Sequence, residues 1–201
     1  MAHKRVEGAI DFEGISMTWK NFRGEKGKFN EKGKRSFAIR LDEDQALDLI
    51  DIGWNVKIRE YEDDEGKMVK RYFLPVNVKM DGKVPPRIFM ITMVYNHDTQ
   101  QEEPRRTLLT EETVGLLDYA QFDNVDVKVR PFNYDYNGNQ GVNHYLSLLF
   151  ATLHVDDLEK KYAHIPMDAG VPELESAEED ILDVESWDVE DDLPALPRGR
   201  S

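Results

Sequence analysis

Lys20, Arg23, Lys26, Lys28, Lys32, Lys34 and Arg35 follow one another through the stretch NFRGEKGKFNEKGKRSF (21–37) and its approach, interleaved with Trp19, Phe22, Phe29 and Phe37. That mixture suits a single-stranded nucleic acid. Cations follow the phosphates, flat rings stack on unpaired bases at about 1–3 kcal/mol per base, and glycines let a loop wrap a flexible strand. The competing reading is a solvated, lysine-rich hairpin loop whose phenylalanines anchor it to a core. Phe37, inside an alternating strand, belongs to the core on either reading. The stretch GKFNEKGKRS also resembles a phosphate-binding GxxxxGK[ST] loop, but it fails on count. Five residues separate Gly27 from Gly33 where that motif has four, and Arg35 stands where a hydroxyl is needed.

A second group lies in RPFNYDYNGNQGVNHY (130–145). Period two places Arg130, Phe132, Tyr134 and Tyr136 on one face of a strand, an aromatic row beside an arginine that suits base stacking. The alternative is a barrel face buried in the core. A third group is the acidic run ELESAEEDILDVESWDVEDDLPAL, where Ile181, Leu182 and Trp187 stand among Asp188, Asp191, Asp192 and other carboxylates. Acidic segments with spaced apolar anchors fit basic, greasy grooves on partner proteins. A merely solubilising linker is the rival there.

Catalytic constellations are weak. His3, His97, His144, His154 and His164 show no metal-ligand spacing, and cysteine is absent, which excludes disulfides, thiolate zinc sites and a cysteine nucleophile. The acids Asp11, Glu13, Asp42, Glu43 and Asp44 do not assemble into a nuclease site by spacing. No metal, cofactor or enzymatic activity is expected.

The formal net charge is -14, which on its face argues against a polyanionic partner. The charge is segregated, however. Residues 1–40 hold 10 Lys+Arg against 5 Asp+Glu, while residues 156–201 hold 4 against 15. Binding responds to the local field, so the acidity of the tail does not forbid an anion at the other end. No apolar run is long enough to span a membrane and the first residues hold no signal-peptide core, so an intracellular, cytoplasmic protein is expected.

The elements that must position these residues read as mainly β. Residues 5–19 form a long strand bent at Gly8 and Gly14, 23–34 a loop, and 35–41 a strand. A short helix follows, capped by Asp42 and stopped by Gly53. Strands are expected at 54–61, 67–80 and 87–95, the last largely buried, and a polar loop at 96–106. A second short helix opens at Thr110. Strands 124–136 and 142–155 flank NGNQG, where Gly138 and Gly141 supply a turn's positive φ. DDLEKKY adds a helical turn. Past about Pro166 acids and proline dominate and no periodicity survives, so disorder is expected. This pattern predicts a five-stranded OB-like barrel with one or two short helices and long loops over residues 1–165, and a disordered acidic tail over 166–201. A β-sandwich is the main alternative.

The segments NFRGEKGKFNEKGKRSFAIRLDEDQALDLIDIGWNVKI, VPPRIFMIT, LLDYAQFDNVDVKVRPFNYDYNGNQGV and KKY resemble phage-type single-stranded-DNA-binding proteins over roughly residues 15–165. The tail with ESWDVEDD is similar in kind to the tails of phage and bacterial single-strand binders. The resemblance implies an OB-fold without enzymatic activity that coats exposed strands in replication and recombination and recruits replication proteins through its tail. Such tails often end in acids and a terminal apolar residue, whereas this chain ends LPALPRGRS, which moves the expected anchor inward to Trp187. On this reading Lys20, Arg23, Lys26, Lys28, Lys32, Lys34, Arg35 and Arg130 meet phosphates, and Trp19, Phe22, Phe29, Tyr134 and Tyr136 stack on bases. Self-association into a homo-oligomer is a further option. The rivals are a protein-interaction or virion-structural module, and a metal-dependent nuclease.

Overall fold

The computed structural model describes residues 6–28, 30–137 and 139–165. Its strands are β1 (Ile10–Phe12), β2 (Ser16–Asn21), β3 (Arg35–Leu41), β4 (Lys57–Glu62), β5 (Met68–Val78), β6 (Arg87–Asn96), β7 (Gln101–Leu108), β8 (Phe122–Tyr136) and β9 (Asn139–Leu153). Helix α1 (Glu43–Asp51) lies between β3 and β4, a 3-10 helix (Val114–Asp118) precedes β8, and α2 (Asp157–Tyr162) follows β9.

The expected long bent strand is β1 plus β2. At Gly14 the backbone takes φ +63°, and its N–H donates to the Asp126 carboxylate at 2.9 Å. The bend lets one segment pair at both ends: β1 runs antiparallel to β8 and β2 antiparallel to β3. β3 then pairs with β5, β5 runs parallel to β9, and β9 pairs with β8. The ring therefore closes on five strands, namely β1/β2, β3, β5, β9 and β8, with one parallel neighbour pair. That is the OB-type barrel. β4 extends the sheet from β5, and the β6–β7 hairpin extends it from β9.

Alternation fills the barrel. Phe37, Ile39 and Leu41 from β3, Leu74, Val76 and Val78 from β5, Val125, Val127 and Val129 from β8, and Val142, Leu146 and Leu149 from β9 are all buried. Fully burying side chains of this size stabilises the fold by about 1.5–3 kcal/mol each.

Several expectations need correction. Residues 96–106 are not a loop, because Gln101–Leu108 pairs along its whole length with β6 around a turn at 97–100. β6 is not largely buried either, since only Ile88 on it is fully covered. The strand expected from residue 54 begins at Lys57, because Trp54 is buried and stacks on His144 at 4.8 Å. The second helix is a five-residue 3-10 turn, in which the Thr113 hydroxyl accepts from the Thr110 N–H instead of Thr110 capping the turn. Gly141 lies within β9 opposite Tyr134, and the positive φ at the hairpin tip belongs to Asn137, at +52°. Gly138 lies outside the described residues. The first helix matches expectation, with the Asp42 carboxylate accepting from the Gln45 N–H at 2.8 Å.

Candidate nucleic-acid interface

Residues 22–34 connect the first and second barrel strands. The base of this loop is pinned. The Phe22 side chain is fully buried and stacks on Phe37 at 5.4 Å. The Asp118 carboxylate accepts from the N–H groups of Phe22 (2.7 Å) and Arg23 (2.9 Å). Asn21 ties both arms, accepting from the Glu25 N–H and donating to the carbonyls of Glu25 and Lys34. Gly24, at φ +68°, lets the arms touch, since a Cβ there would meet the Gly33 backbone at 3.1 Å.

Two sequence assignments fail here. Phe22 cannot stack on a base, because its ring is a core residue. Arg35 is not an outward cation: its side chain is 14% exposed, Nε donates to the Phe22 carbonyl at 2.9 Å, and the guanidinium pairs with Glu111 at 2.9 Å. Two more cations are engaged on the protein. Lys20 Nζ donates to the Ala120 carbonyl at 3.0 Å and lies 5.0 Å from the centre of the Phe122 ring. Burial lowers its pKa, opposed by the charge of Asp118. Arg23 donates to the Tyr119 hydroxyl at 2.9 Å, and its guanidinium carbon lies 4.4 Å from the centre of that ring. Lys26, Lys28, Lys32 and Lys34 are exposed beyond this base, Lys34 in a solvent-facing pair with Glu31 at 2.7 Å. Phe29 lies outside the described residues, as do Ile181, Leu182, Trp187, Asp188, Asp191 and Asp192 of the tail.

Tyr136 and Asn139 close the hairpin joining the fourth and fifth barrel strands. A register shift at Lys128/Val129 precedes a regular ladder from Arg130–Tyr145 to Tyr136–Asn139. Arg130, Phe132, Tyr134 and Tyr136 consequently share the outer face. All are exposed, with Phe132 at 56% and Tyr136 at 73%. Phe132 meets Tyr145 edge-on at 6.0 Å.

The register joins these two sites. Asn21 pairs with Ser36, Ser36 with Asn77, Asn77 with Tyr145, and Tyr145 with Arg130. Directly paired residues point to the same side of a sheet. One outward row therefore crosses the barrel from the base of the basic loop to the aromatic hairpin, about 20 Å at the usual strand spacing. At its hairpin end a groove of about 470 Å³ is lined by Lys79, Lys83, Arg130, Phe132 and Tyr145, with Gly82, Val84 and Pro131. The lining holds three cations and two rings but no carboxylate. Sequence reasoning did not single out Lys79 and Lys83. Lys79 directly follows β5 and Lys83 lies in the turn DGKVPP, which looks like solvated loop until the barrel closes it against Arg130.

Trp19 stands beside this row. It occupies the bulge between Thr18 and Asn21 at φ +49°, a left-handed conformation costly for a bulky residue. The bulge turns its ring onto Phe73, 4.3 Å between centroids, and leaves it 50% exposed. Of the carboxylates weighed for a nuclease, three have partners elsewhere: Asp11 pairs with Lys128 at 3.3 Å, Asp42 caps α1, and Glu43 accepts from the Tyr72 hydroxyl at 2.7 Å.

The family model described as "Putative phage ssDNA-binding domain" matches residues 1–195. No curated protein matches the chain. Among solved structures, the single-stranded DNA-binding protein from bacteriophage Enc34 in complex with ssDNA is 12% identical, with a TM-score of 0.42 over 77% of this chain and 98% of that one. A C-terminal truncation of the Enc34 protein gives 12% and 0.40 over 74% and 88%. The gp2.5 single-stranded DNA-binding protein of bacteriophage T7 gives 7% and 0.32 over 83% and 98%. With residues 1–195 of 201 inside the family model, the chain belongs to the phage ssDNA-binding domain family.

Proposed function

We propose that this protein binds single-stranded DNA without sequence preference, performs no chemistry on it, and coats exposed strands during phage DNA replication and recombination in the host cytoplasm. The observation that carries this reading is the outward row from Asn21 to Arg130, which ends in a carboxylate-free groove of Lys79, Lys83, Arg130, Phe132 and Tyr145. OB barrels bind oligonucleotides on the face of the second and third strands, between the loop joining strands one and two and the loop joining strands four and five. The basic loop and the aromatic hairpin are those two loops. Lys26, Lys28, Lys32, Lys34, Lys79, Lys83 and Arg130 neutralise phosphates, and Trp19, Phe132, Tyr134 and Tyr136 stack on bases. Residues 1–165 are the binding domain. The acidic tail, 166–201, recruits replication or recombination proteins through Ile181, Leu182 and Trp187 with Asp188, Asp191 and Asp192.

The test is a titration of labelled single-stranded DNA with and without magnesium. Binding without cleavage, equal for unrelated sequences and weakened at least tenfold by Lys79→Ala/Lys83→Ala/Arg130→Ala, supports the reading. Magnesium-dependent cleavage would make the protein a nuclease, and absence of binding would leave a protein-interaction module.

A further inference from the structure

Arg59 and Arg71 oppose each other directly across the β4–β5 ladder. Like charges at paired sheet positions destabilise the pairing. Both side chains are exposed, and among the described residues neither guanidinium has a hydrogen bond or an ion pair to offset the repulsion. Each is held over a ring instead. The Arg59 guanidinium lies 4.5 Å from the centre of the Trp19 ring, and that of Arg71 lies 4.8 Å from Tyr61. The arm is also two-faced. The face of Arg59 and Arg71 carries Lys57 opposite Phe73 and Tyr61 opposite Val69, with no acid on either strand. The acids Glu60 and Glu62 point to the other side, opposite Lys70 and Met68.

We propose that Arg59 and Arg71 form a clamp for one phosphodiester of the bound single strand, outside the barrel row, with Trp19 and Tyr61 holding the two guanidinium groups in position. The proposal rests on the single-strand-binding reading above and adds a second contact region to it. A phosphate between the two guanidinium groups converts their repulsion into two charge-assisted contacts, and the planar fork of arginine suits phosphate oxygens. The rings hold the forks in place beforehand, so little side-chain freedom is lost on binding. The position extends the track. Asn77 and Arg71 are six residues apart on β5, about 20 Å of strand, so the clamp is reached only by DNA longer than the barrel row requires.

The experiment compares the full-length protein with its Arg59→Gln/Arg71→Gln variant, using labelled oligothymidylates of increasing length. The expected result is equal affinity for short oligomers and about tenfold weaker binding of long ones. The salt slope on long DNA should be shallower by about 0.7, and the melting temperature unchanged or higher because a like-charge pair has been removed. An Arg59→Lys/Arg71→Lys variant should recover the slope and only part of the affinity. Four results would overturn the clamp. One is unchanged affinity and slope at every length. Another is a fall in melting temperature with normal binding by the folded fraction, which makes the arginines structural. A third is tighter DNA binding at low salt, which makes the pair a resting place for the acidic tail. If the unsubstituted protein binds no oligomer of any length, the single-strand reading fails and the clamp with it.

Discussion

The Tyr134 ring lies across Gly141 on the neighbouring strand, so that a Cβ at Gly141 would collide with the Tyr134 hydroxyl and ring edge. The glycine is therefore a seat for the tyrosine and not a turn residue. Its substitution moves an exposed ring while leaving the barrel core alone. Gly141→Ala should lift Tyr134 from its seat and weaken single-strand binding in the same direction as Tyr134→Ala, for which loss of a stacked base predicts about 1–3 kcal/mol. Anisotropy titrations of the two variants, and of the pair combined, measure this. If Tyr134 stacks, the combined loss falls well short of the sum, because both changes act on one ring. Normal binding by Tyr134→Ala would remove that ring from the interface.

The basic loop divides into a foundation and a charged tip, and the two should respond to different measurements. Phe22→Ala removes a fully buried ring and should cost about 3–5 kcal/mol of folding stability. Arg35→Ala also lowers stability, because it leaves the part-buried Phe22 carbonyl without its donor. Neither should change the salt slope of the folded protein. Replacing Lys26, Lys28, Lys32 and Lys34 by alanine should do the reverse. Exposed ion pairs such as Lys34–Glu31 contribute little to stability, while each phosphate left without its lysine makes the log-log slope shallower by about 0.7. Denaturant melts alongside salt titrations separate the two sets. An unchanged slope in the lysine variant would take the loop out of the DNA path.

What could be read from the sequence depended on whether a residue's partners are near it in the chain. The alternation of Val125, Val127 and Val129 against Val142, Leu146 and Leu149 makes the hairpin legible, and the same period puts Arg130, Phe132, Tyr134 and Tyr136 on one outward face. β7 was not legible, because QEEPRRTL has no apolar face and becomes a strand only by pairing with β6. Phe22 and Arg35 were misassigned for a related reason. The groups that hold them, Asp118 and Glu111, belong to the segment around the 3-10 helix, far along the chain. The missed cations Lys79 and Lys83 become part of a site only when the barrel brings them against Arg130 and Tyr145.

The tail makes a prediction because of its charge. Residues 156–201 carry 15 acids, and a tethered acidic segment competes for a basic groove at an effective concentration of about the millimolar range. Deleting residues 167–201 should therefore tighten single-strand binding, most at low salt where screening is weakest, and abolish recruitment of tail-dependent replication partners. With Trp19 and Trp54 replaced by Phe, Trp187 fluorescence should change as DNA displaces the tail. Unchanged low-salt affinity together with a silent Trp187 would show that the tail stays away from the groove.

His144 supplies a prediction about acid stability. It is 2% exposed and stacks on Trp54 at 4.8 Å with the planes nearly parallel. The Asn55 N–H donates to Nε2 at 3.3 Å, so Nδ1 carries the proton and donates to the Pro75 carbonyl at 3.0 Å. Burial pushes the pKa down from 6.5 to about 4, outweighing the bond to Pro75, and Lys57 adds to the depression. The unfolded chain thus takes up a proton near pH 6.5 that the folded chain refuses until about pH 4. The resulting stability is present in full above pH 6.5 and is lost as pH falls from there toward 4. Between pH 7 and pH 5 the loss is about 2 kcal/mol at 1.36 kcal/mol per pH unit, before most carboxylates titrate. His144→Phe keeps a ring against Trp54 but leaves the Pro75 carbonyl and Asn55 N–H without partners, so its absolute stability should fall at every pH. The informative quantity is the slope. Urea melts at pH 7 and pH 5 should show the unsubstituted protein losing about 2 kcal/mol more than the variant. Parallel pH profiles for the two proteins would mean that His144 is not held neutral in the folded barrel.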